Sequence, residues 1–269
     1  MTDSKNLWRL RARALDAARR EVRAGHPEGI HDLRVALRRT SATASALGEK
    51  RIAREAKDFV RGLSEARQLE VDRKLLRRVA TLGLLAPELA AGLDGRWEDV
   101  SRKHARVAAR VAGSRQLQAL ARVVRERGDS SHGPPIDELE RARRAAETRL
   151  KPPSLQATDR ELHRFRLAVK RARYVAEDLV ATGVRGFDKK VSREKALQEA
   201  LGRWNDVRLF RERLMEMRRE AEVRGSVTLA SELDRLVISL DGTVVSARRA
   251  ALRAAMNASP VVPITGRTA

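Results

Sequence analysis

The spacing of the apolar residues is the feature that most constrains the fold of this chain. Along almost all of its 269 residues, apolar side chains recur every three or four positions, which is the period of an α-helix with one buried face. The alternation of apolar and polar residues that indicates strands is nearly absent. Glycine and proline interrupt the helical pattern at only a few places. These patterns predict an all-α protein.

A basic helical motif occurs twice, about half a chain apart. The first copy reads HDLRVALRR from His31 to Arg39, and the second reads HRFRLAVKR from His163 to Arg171. Each copy is a histidine followed by cations at the third, seventh and eighth positions. The first two of these cations lie on the same helix face as the histidine, opposite the apolar residues. Like charges at this spacing repel one another, which indicates that an anion neutralises them.

The two halves of the chain resemble each other beyond this motif. The segment KDFVRGL at 57–63 aligns without a gap with KALQEAL at 195–201. Between the halves, the stretch GDSSHGPP at 128–135 is the strongest linker signal. We therefore predict one domain at 1–257, made of two four-helix halves at 1–128 and 134–257, followed by a disordered tail at 258–269. Two such bundles, related by a pseudo-two-fold axis and each burying its own apolar faces, would bring the basic motifs together around one cleft.

The charge of the chain indicates what kind of partner it has. Lysine and arginine number 57 against 36 acidic residues, which gives a formal net charge of +21. Such an excess favours a polyanionic partner: nucleic acid, an acidic membrane surface or a phosphate polymer. The absence of cysteine excludes disulfides, thiolate nucleophiles and zinc–thiolate sites. The longest apolar stretch, at about 82–93, is too short to span a bilayer and the N-terminus lacks an apolar signal core, so we expect a cytoplasmic protein without a membrane partner.

The motifs described above resemble those of the CHAD family, the conserved histidine α-helical domain. The resemblance rests on both His-x-x-Arg motifs and on K-x-L-Q-x-x-L-G-x-x-N-D at 195–206, and it spans about residues 5–255. It implies a pair of four-helix bundles around a basic central pore that binds inorganic polyphosphate. It also implies an association with polyphosphate granules.

The resemblance further implies a set of polyphosphate-binding residues. Carried over position by position, this set is His31, Arg34, Arg38, Arg39 and Lys57 in the first half, and His163, Arg166, Lys170, Arg171, Arg173 and Lys195 in the second. The first motif continues with Thr40 and Ser41 where the family usually has Leu-Arg, so the first half lacks an equivalent of Arg173. We therefore expect a pore that is more basic on the second-half side. Neighbouring cations should lower the pKa of both histidines and keep them neutral until an anion binds.

Two alternative functions are weighed against this one. A helical nucleic-acid-binding protein would fit the net charge, but aromatic residues make up only 3% of the chain and offer few stacking platforms. The motif helices also lack the asparagine, glutamine and arginine mixture that recognises base edges, so we expect only non-specific nucleic-acid binding. A metal-dependent phosphate enzyme would need carboxylates beside the histidines, where this chain has cations. With no Walker-type, serine-nucleophile or paired-carboxylate pattern, we expect a non-enzymatic binding module without a metal or other cofactor.

Overall fold

A computed structural model of the protein describes residues 6–130 and 136–258, and all regular secondary structure in these ranges is α-helical. We number the helices in chain order. In the first half they are α1 (Leu7–Arg23), α2 (Gly29–Ala46), α3 (Lys50–Gly62), α4 (Ser64–Thr81), α5 (Pro87–Gly113) and α6 (Arg115–Ser130). In the second half they are α7 (Ile136–Glu147), α8 (Asp159–Ala181), α9 (Asp188–Val223) and α10 (Val227–Asn257). The prediction of an all-α protein is confirmed.

The halves differ in where their long helices break. The sequence pattern predicts a single helix at about 49–80, but the chain turns at Leu63 and forms α3 and α4, whereas α9 in the second half is unbroken. Arg34 of α2 lies against this turn. Its Nη1 donates hydrogen bonds to the Val60 carbonyl (2.9 Å) and to the Ser64 hydroxyl (3.1 Å). The turn is therefore stabilised by a side chain from another helix, which a helical period in the sequence cannot show.

The end of the first half is also more helical than the sequence pattern predicts. Helix α6 continues through Ser130, so the first three residues of the predicted linker belong to it. Gly128 packs so closely against α1 that a Cβ atom there would lie 2.9 Å from Cγ of Arg9. The rest of that stretch, at 131–135, lies outside the described residues, as does the predicted tail from 259 onwards.

The apolar core does not follow the division into halves. One cluster joins α1, α2, α3, the end of α5 and α6, and another joins α8, the first part of α9 and the end of α10. A third cluster packs α4 and the start of α5 against the end of α9 and the start of α10. In this cluster Trp97 meets Phe210 edge to face, with ring centroids 6.0 Å apart. The expectation that each half buries its own apolar faces is therefore wrong for the third cluster, which both halves build together.

Buried polar contacts hold the two motif helices side by side. Arg11 of α1 forms an ion pair with Asp178 of α8, and both are almost fully buried. Thr43 of α2 accepts a hydrogen bond from Nε of Arg11 (3.0 Å) and donates one to Asp178 (2.8 Å). Burial raises the pKa of Asp178, and the adjacent Arg11 opposes that shift. Because this cluster joins α1, α2 and α8, it places the two basic motifs on neighbouring helices.

Candidate anion-binding site

A cavity of about 1510 Å³ opens between the two motif helices α2 and α8. Its walls come from α2, α3, α4, α8 and α9 and from the region around the end of α7. Among the described residues, eleven cations and three carboxylates line it, together with His31 and His163. The cations are Arg34, Arg38, Arg54, Lys57, Arg61, Arg67, Arg149, Arg166, Lys170, Arg171 and Arg203, and the carboxylates are Asp58, Glu199 and Asp206. The lining therefore has a large positive excess.

Three cations converge in this cavity without a partner. Arg38 of α2 and Arg166 and Lys170 of α8 are partly buried, and none forms a hydrogen bond or ion pair with any residue in the described ranges. Burial, and then the charges of Arg166 and Arg38, lower the pKa of Lys170 to about 6. Burial is also the main cause that lowers the pKa values of Arg38 and Arg166. Since desolvated like charges are costly, this arrangement favours an anion between them.

Both motif histidines lie on the cavity wall and are predominantly neutral at pH 7. Burial lowers the pKa of His31, and Arg67 of α4 lowers it further. Burial likewise lowers the pKa of His163, with Arg166 as the next cause. The sequence predicts this lowering of the histidine pKa values, but burial contributes more to it than the neighbouring cations do. The Asn205 side chain of α9 opposes the pKa shift of His163, and the Nδ1 atom of this histidine is buried from solvent.

Arg34 differs from the other cations of the motif because its guanidinium group is already engaged. Its side chain is buried among α2, α3 and α4, where it makes the two hydrogen bonds at the α3–α4 turn. Burial, together with Arg38 and Arg67, lowers its pKa to about 10. Arg34 thus lines the cavity and also supports its wall.

Three residues of the predicted set do not line the cavity. Arg39 forms an ion pair with Glu177 of α8 (3.2 Å). Arg173 is held by the same carboxylate (2.7 Å), by Gln198 of α9 (3.1 Å) and by the ring of Tyr174. For Arg39 and Arg173 the placement is explained by Glu177, which pairs with both of them beside the cavity.

Lys195 is the third of these residues. It is exposed on α9, about one helical turn before Gln198 and Glu199, the first residues of that helix on the wall. Its first-half counterpart Lys57 does line the cavity. The alignment of the two halves therefore did not transfer to equal positions in space, because α3 is a separate short helix and α9 is continuous.

The cavity also contains cations that the motifs did not indicate. Arg54 and Arg61 lie on the same face of α3 as Lys57, at spacings of three and four residues that could have revealed them. Arg67 occupies the position that aligns with Asn205, and it acts on the pKa values of His31, Arg34 and Arg38. The first half consequently supplies six of the cations and one carboxylate, whereas the second supplies five and two. The expectation of a more basic second-half side is therefore wrong.

The described residues contain no group of three histidines, cysteines or carboxylates placed to hold a metal ion.

Asp206 is the cavity carboxylate that interacts with the unpaired cations, since Arg166, Lys170 and Arg67 all lower its pKa. Burial raises that pKa, and the three cations oppose the shift. Across the described ranges, no helix combines the length and the apolar character that crossing a membrane requires.

Comparisons with known proteins agree with this architecture. A family model of the CHAD domain matches residues 6–215. Among solved structures, PptA from Streptomyces chartreusis is 18% identical, with a TM-score of 0.69 over 94% of this chain and 97% of that one. The CHAD domain from the plant Ricinus communis is 19% identical, with a TM-score of 0.68 over 92% of this chain and 89% of that one. No curated protein matches the chain.

Proposed function

This chain belongs to the CHAD domain family, and from that premise we propose that its cavity binds inorganic polyphosphate as a non-enzymatic binding module. The observation that carries the proposal is the convergence of Arg38, Arg166 and Lys170, which are partly buried and have no partner in the described ranges. A multiply charged anion between these side chains would remove their mutual repulsion. A single carboxylate ligand would offset only one of them.

The chemistry of the lining favours a phosphate chain over a nucleic acid. Polyphosphate presents about one negative charge per unit and carries no bases, so its receptor needs cations and little else. Tyr174 is the single aromatic residue among those lining the cavity, and it is buried beneath the Arg173 guanidinium. The described part of the wall therefore offers no exposed phenyl, phenol or indole ring for base stacking.

The proposal includes two features that follow from the family. The two halves are taken as four-helix units related by a pseudo-two-fold axis, with α3 and α4 counted as one helix and α5 and α6 as another. The shared cluster of α4 and α5 with α9 and α10 supports this, since it pairs corresponding segments of the two halves. The protein is also taken to act in the cytoplasm, at polyphosphate granules where these form.

Titration with phosphate chains of graded length tests the proposal. We expect Arg38→Gln/Lys170→Gln to weaken the binding of long chains by about tenfold or more, as calorimetry would measure, because it removes two partly buried groups that would be cationic beside a bound phosphate chain. Neither side chain contributes a hydrogen bond within the described ranges, so the helicity and the unfolding midpoint should not fall. The matched control is Arg106→Gln/Arg110→Gln on α5, where both arginines are exposed and lie outside the cavity.

Two results would contradict this proposal. The first is equal binding by the cavity variant and the control variant. The second is displacement of polyphosphate by duplex DNA at comparable charge concentration and physiological salt, which would favour the nucleic-acid-binding alternative. Release of orthophosphate from the polymer by the purified protein would contradict the non-enzymatic part.

A further inference from the structure

A second basic cavity lies elsewhere in the molecule, between α1 and α6. Its volume is about 540 Å³, and we call it the α1–α6 groove. It is lined by Arg19, Arg23, Arg115, Gln118, Ala119, Ala121, Arg122 and Arg125. None of these residues lines the cavity between α2 and α8. Of these eight described residues five are arginines, and none is a carboxylate.

The groove arises because two rows of arginines face each other on antiparallel helices. At one end of the pair the Asn6 side chain donates a hydrogen bond to the Gly128 carbonyl, and towards the other end Arg19 Nε donates to the Ala112 carbonyl (3.1 Å) just before α6 begins. Arg19 and Arg23 lie four residues apart on α1, so they share one face. On α6, Arg115, Arg122 and Arg125 follow the same helical spacing. The small side chains of Ala119 and Ala121 leave room between the rows.

The arginines at one end of the groove have acidic partners, whereas those at the other end have none in the described ranges. Asp16 of α1 pairs with Arg19 (3.2 Å) and with Arg125, and Arg122 lies 3.7 Å from Glu126. Arg23 and Arg115 are exposed and form no ion pair with any residue in the described parts of the chain. The first turn of α6 contains no acidic residue that would offset Arg115. The Arg23–Arg115 end therefore has free guanidinium groups next to the already engaged Arg19.

We propose that the α1–α6 groove is a second anion site, which binds a short run of linked phosphate groups independently of the larger cavity. Guanidinium groups offer forked pairs of donors that match phosphate oxygens, and this lining contains arginine but no lysine. No aromatic residue is among the described residues that line the groove, so the lining provides no ring on which a nucleobase could stack. The site therefore recognises the phosphate groups themselves, as in inorganic tripolyphosphate.

The test uses the full chain in which Arg38→Gln/Lys170→Gln has weakened the larger cavity. We expect this protein still to bind tripolyphosphate at about one equivalent by calorimetry. Adding Arg23→Gln/Arg115→Gln should weaken that remaining binding by about tenfold or more. Adding Arg106→Gln/Arg110→Gln, which removes the same charge from α5, should change it by less than about twofold. Neither Arg23 nor Arg115 has a partner in the described structure, so thermal unfolding should be unchanged.

The outcomes separate this site from the proposed function. If the groove variant behaves like the α5 control, the groove proposal is overturned, whatever the larger cavity binds. If Arg38→Gln/Lys170→Gln leaves polyphosphate binding unchanged, the proposed function fails, yet a loss specific to the groove variant would still support this second site. ATP tests whether the groove also recognises a nucleoside. If ATP binds no more tightly than tripolyphosphate, the groove recognises the phosphate groups alone. Tighter binding of ATP would overturn that part of the proposal. An adjacent variant, Arg122→Gln, should also weaken tripolyphosphate binding.

Discussion

At the scale of single residues, Lys170 is the most informative side chain, because its surroundings disfavour its protonated, positively charged form. Burial and the guanidinium groups of Arg166 and Arg38 lower its pKa, while Asp206 opposes them only in part. Arg173 also lowers it, although Glu177 and Gln198 hold that side chain beside the cavity. At pH 7 the Lys170 amine is therefore largely neutral when the cavity is empty. An anion in the cavity would favour the ammonium form and restore a pKa nearer the usual range.

Polyphosphate affinity should consequently increase as the pH falls from 8 to about 6. The direction of this pH dependence follows from the pKa of Lys170, which is about 6 in the free protein. Above pH 6 the complex holds a proton on Lys170 that the free protein lacks, so lower pH favours binding. Calorimetry in buffers of different ionisation enthalpy should therefore show proton uptake on binding.

Lys170→Met should abolish most of the pH dependence of polyphosphate affinity, whereas Lys57→Met, on the same cavity wall, should preserve it. Any pH dependence of the affinity that Lys170→Met retains below pH 6.5 should come from the two histidines, because the pKa values of both are lowered from 6.5. It should disappear when His31→Gln/His163→Gln is added. An unchanged pH profile in Lys170→Met would refute this role.

At the scale of secondary-structure elements, the turn between α3 and α4 distinguishes the two halves. It gives the first half two shorter helices where the second has α9, and it places the face of α3 that contains Arg54, Lys57 and Arg61 on the cavity wall. The turn depends on Arg34, whose Nη1 bonds to groups on both sides of it. A cation in the motif thus serves the architecture of the cavity before any ligand is bound.

Arg34→Ala should therefore destabilise the protein, unlike the same substitution four residues later. Loss of hydrogen bonds at a buried site costs about 1–3 kcal/mol, so the free energy of unfolding in urea should fall by about that amount. Arg38→Ala on the same helix removes a side chain without hydrogen bonds in the described structure, so it should leave the unfolding free energy unchanged or slightly higher. Equal losses in the two variants would show that Arg34 does not support the turn.

At the scale of the whole molecule, the formal net charge of +21 acts against compactness, and the shared core opposes this repulsion. Ion pairs between the halves contribute as well. Arg213 of α9 contacts Asp72 (2.7 Å) and Glu65 (3.0 Å) of α4, and Arg11 contacts Asp178. Burial raises the pKa of Asp72 to about 6, although Gln68 and Arg213 lower it. The cavity holds three partly buried cations without a partner in the described ranges, Arg38, Arg166 and Lys170.

Polyphosphate binding should therefore weaken steeply with salt, because a bound polyanion releases the counterions condensed along it. In a plot of log affinity against log salt concentration, Arg38→Gln/Lys170→Gln should reduce the slope by about 1 to 2, since two phosphate contacts are lost. Arg106→Gln/Arg110→Gln has the same net charge and should retain the wild-type slope. If both variants reduce the slope equally, the effect comes from overall charge and not from the cavity.

The sequence by itself determined the features that depend on local spacing. The helical period predicts the all-α fold, and the repeated motif places His31 and His163 with Arg38, Arg166 and Lys170 on faces that meet in the cavity. These predictions succeed because the rise and twist of a helix are the same in every protein. The same spacing could have revealed Arg54 and Arg61.

Only the tertiary structure decided which cations are free and which are paired. Glu177 on α8 pairs with both Arg39 and Arg173, and Arg67 enters from α4 beside His31. The turn at Leu63 and the core shared by both halves also depend on contacts between helices far apart in the chain. Such contacts are set by the angles at which helices cross and by the side chains that fill the space between them. A local pattern carries no information about either, so the charge balance of this cavity could be read only from the folded chain.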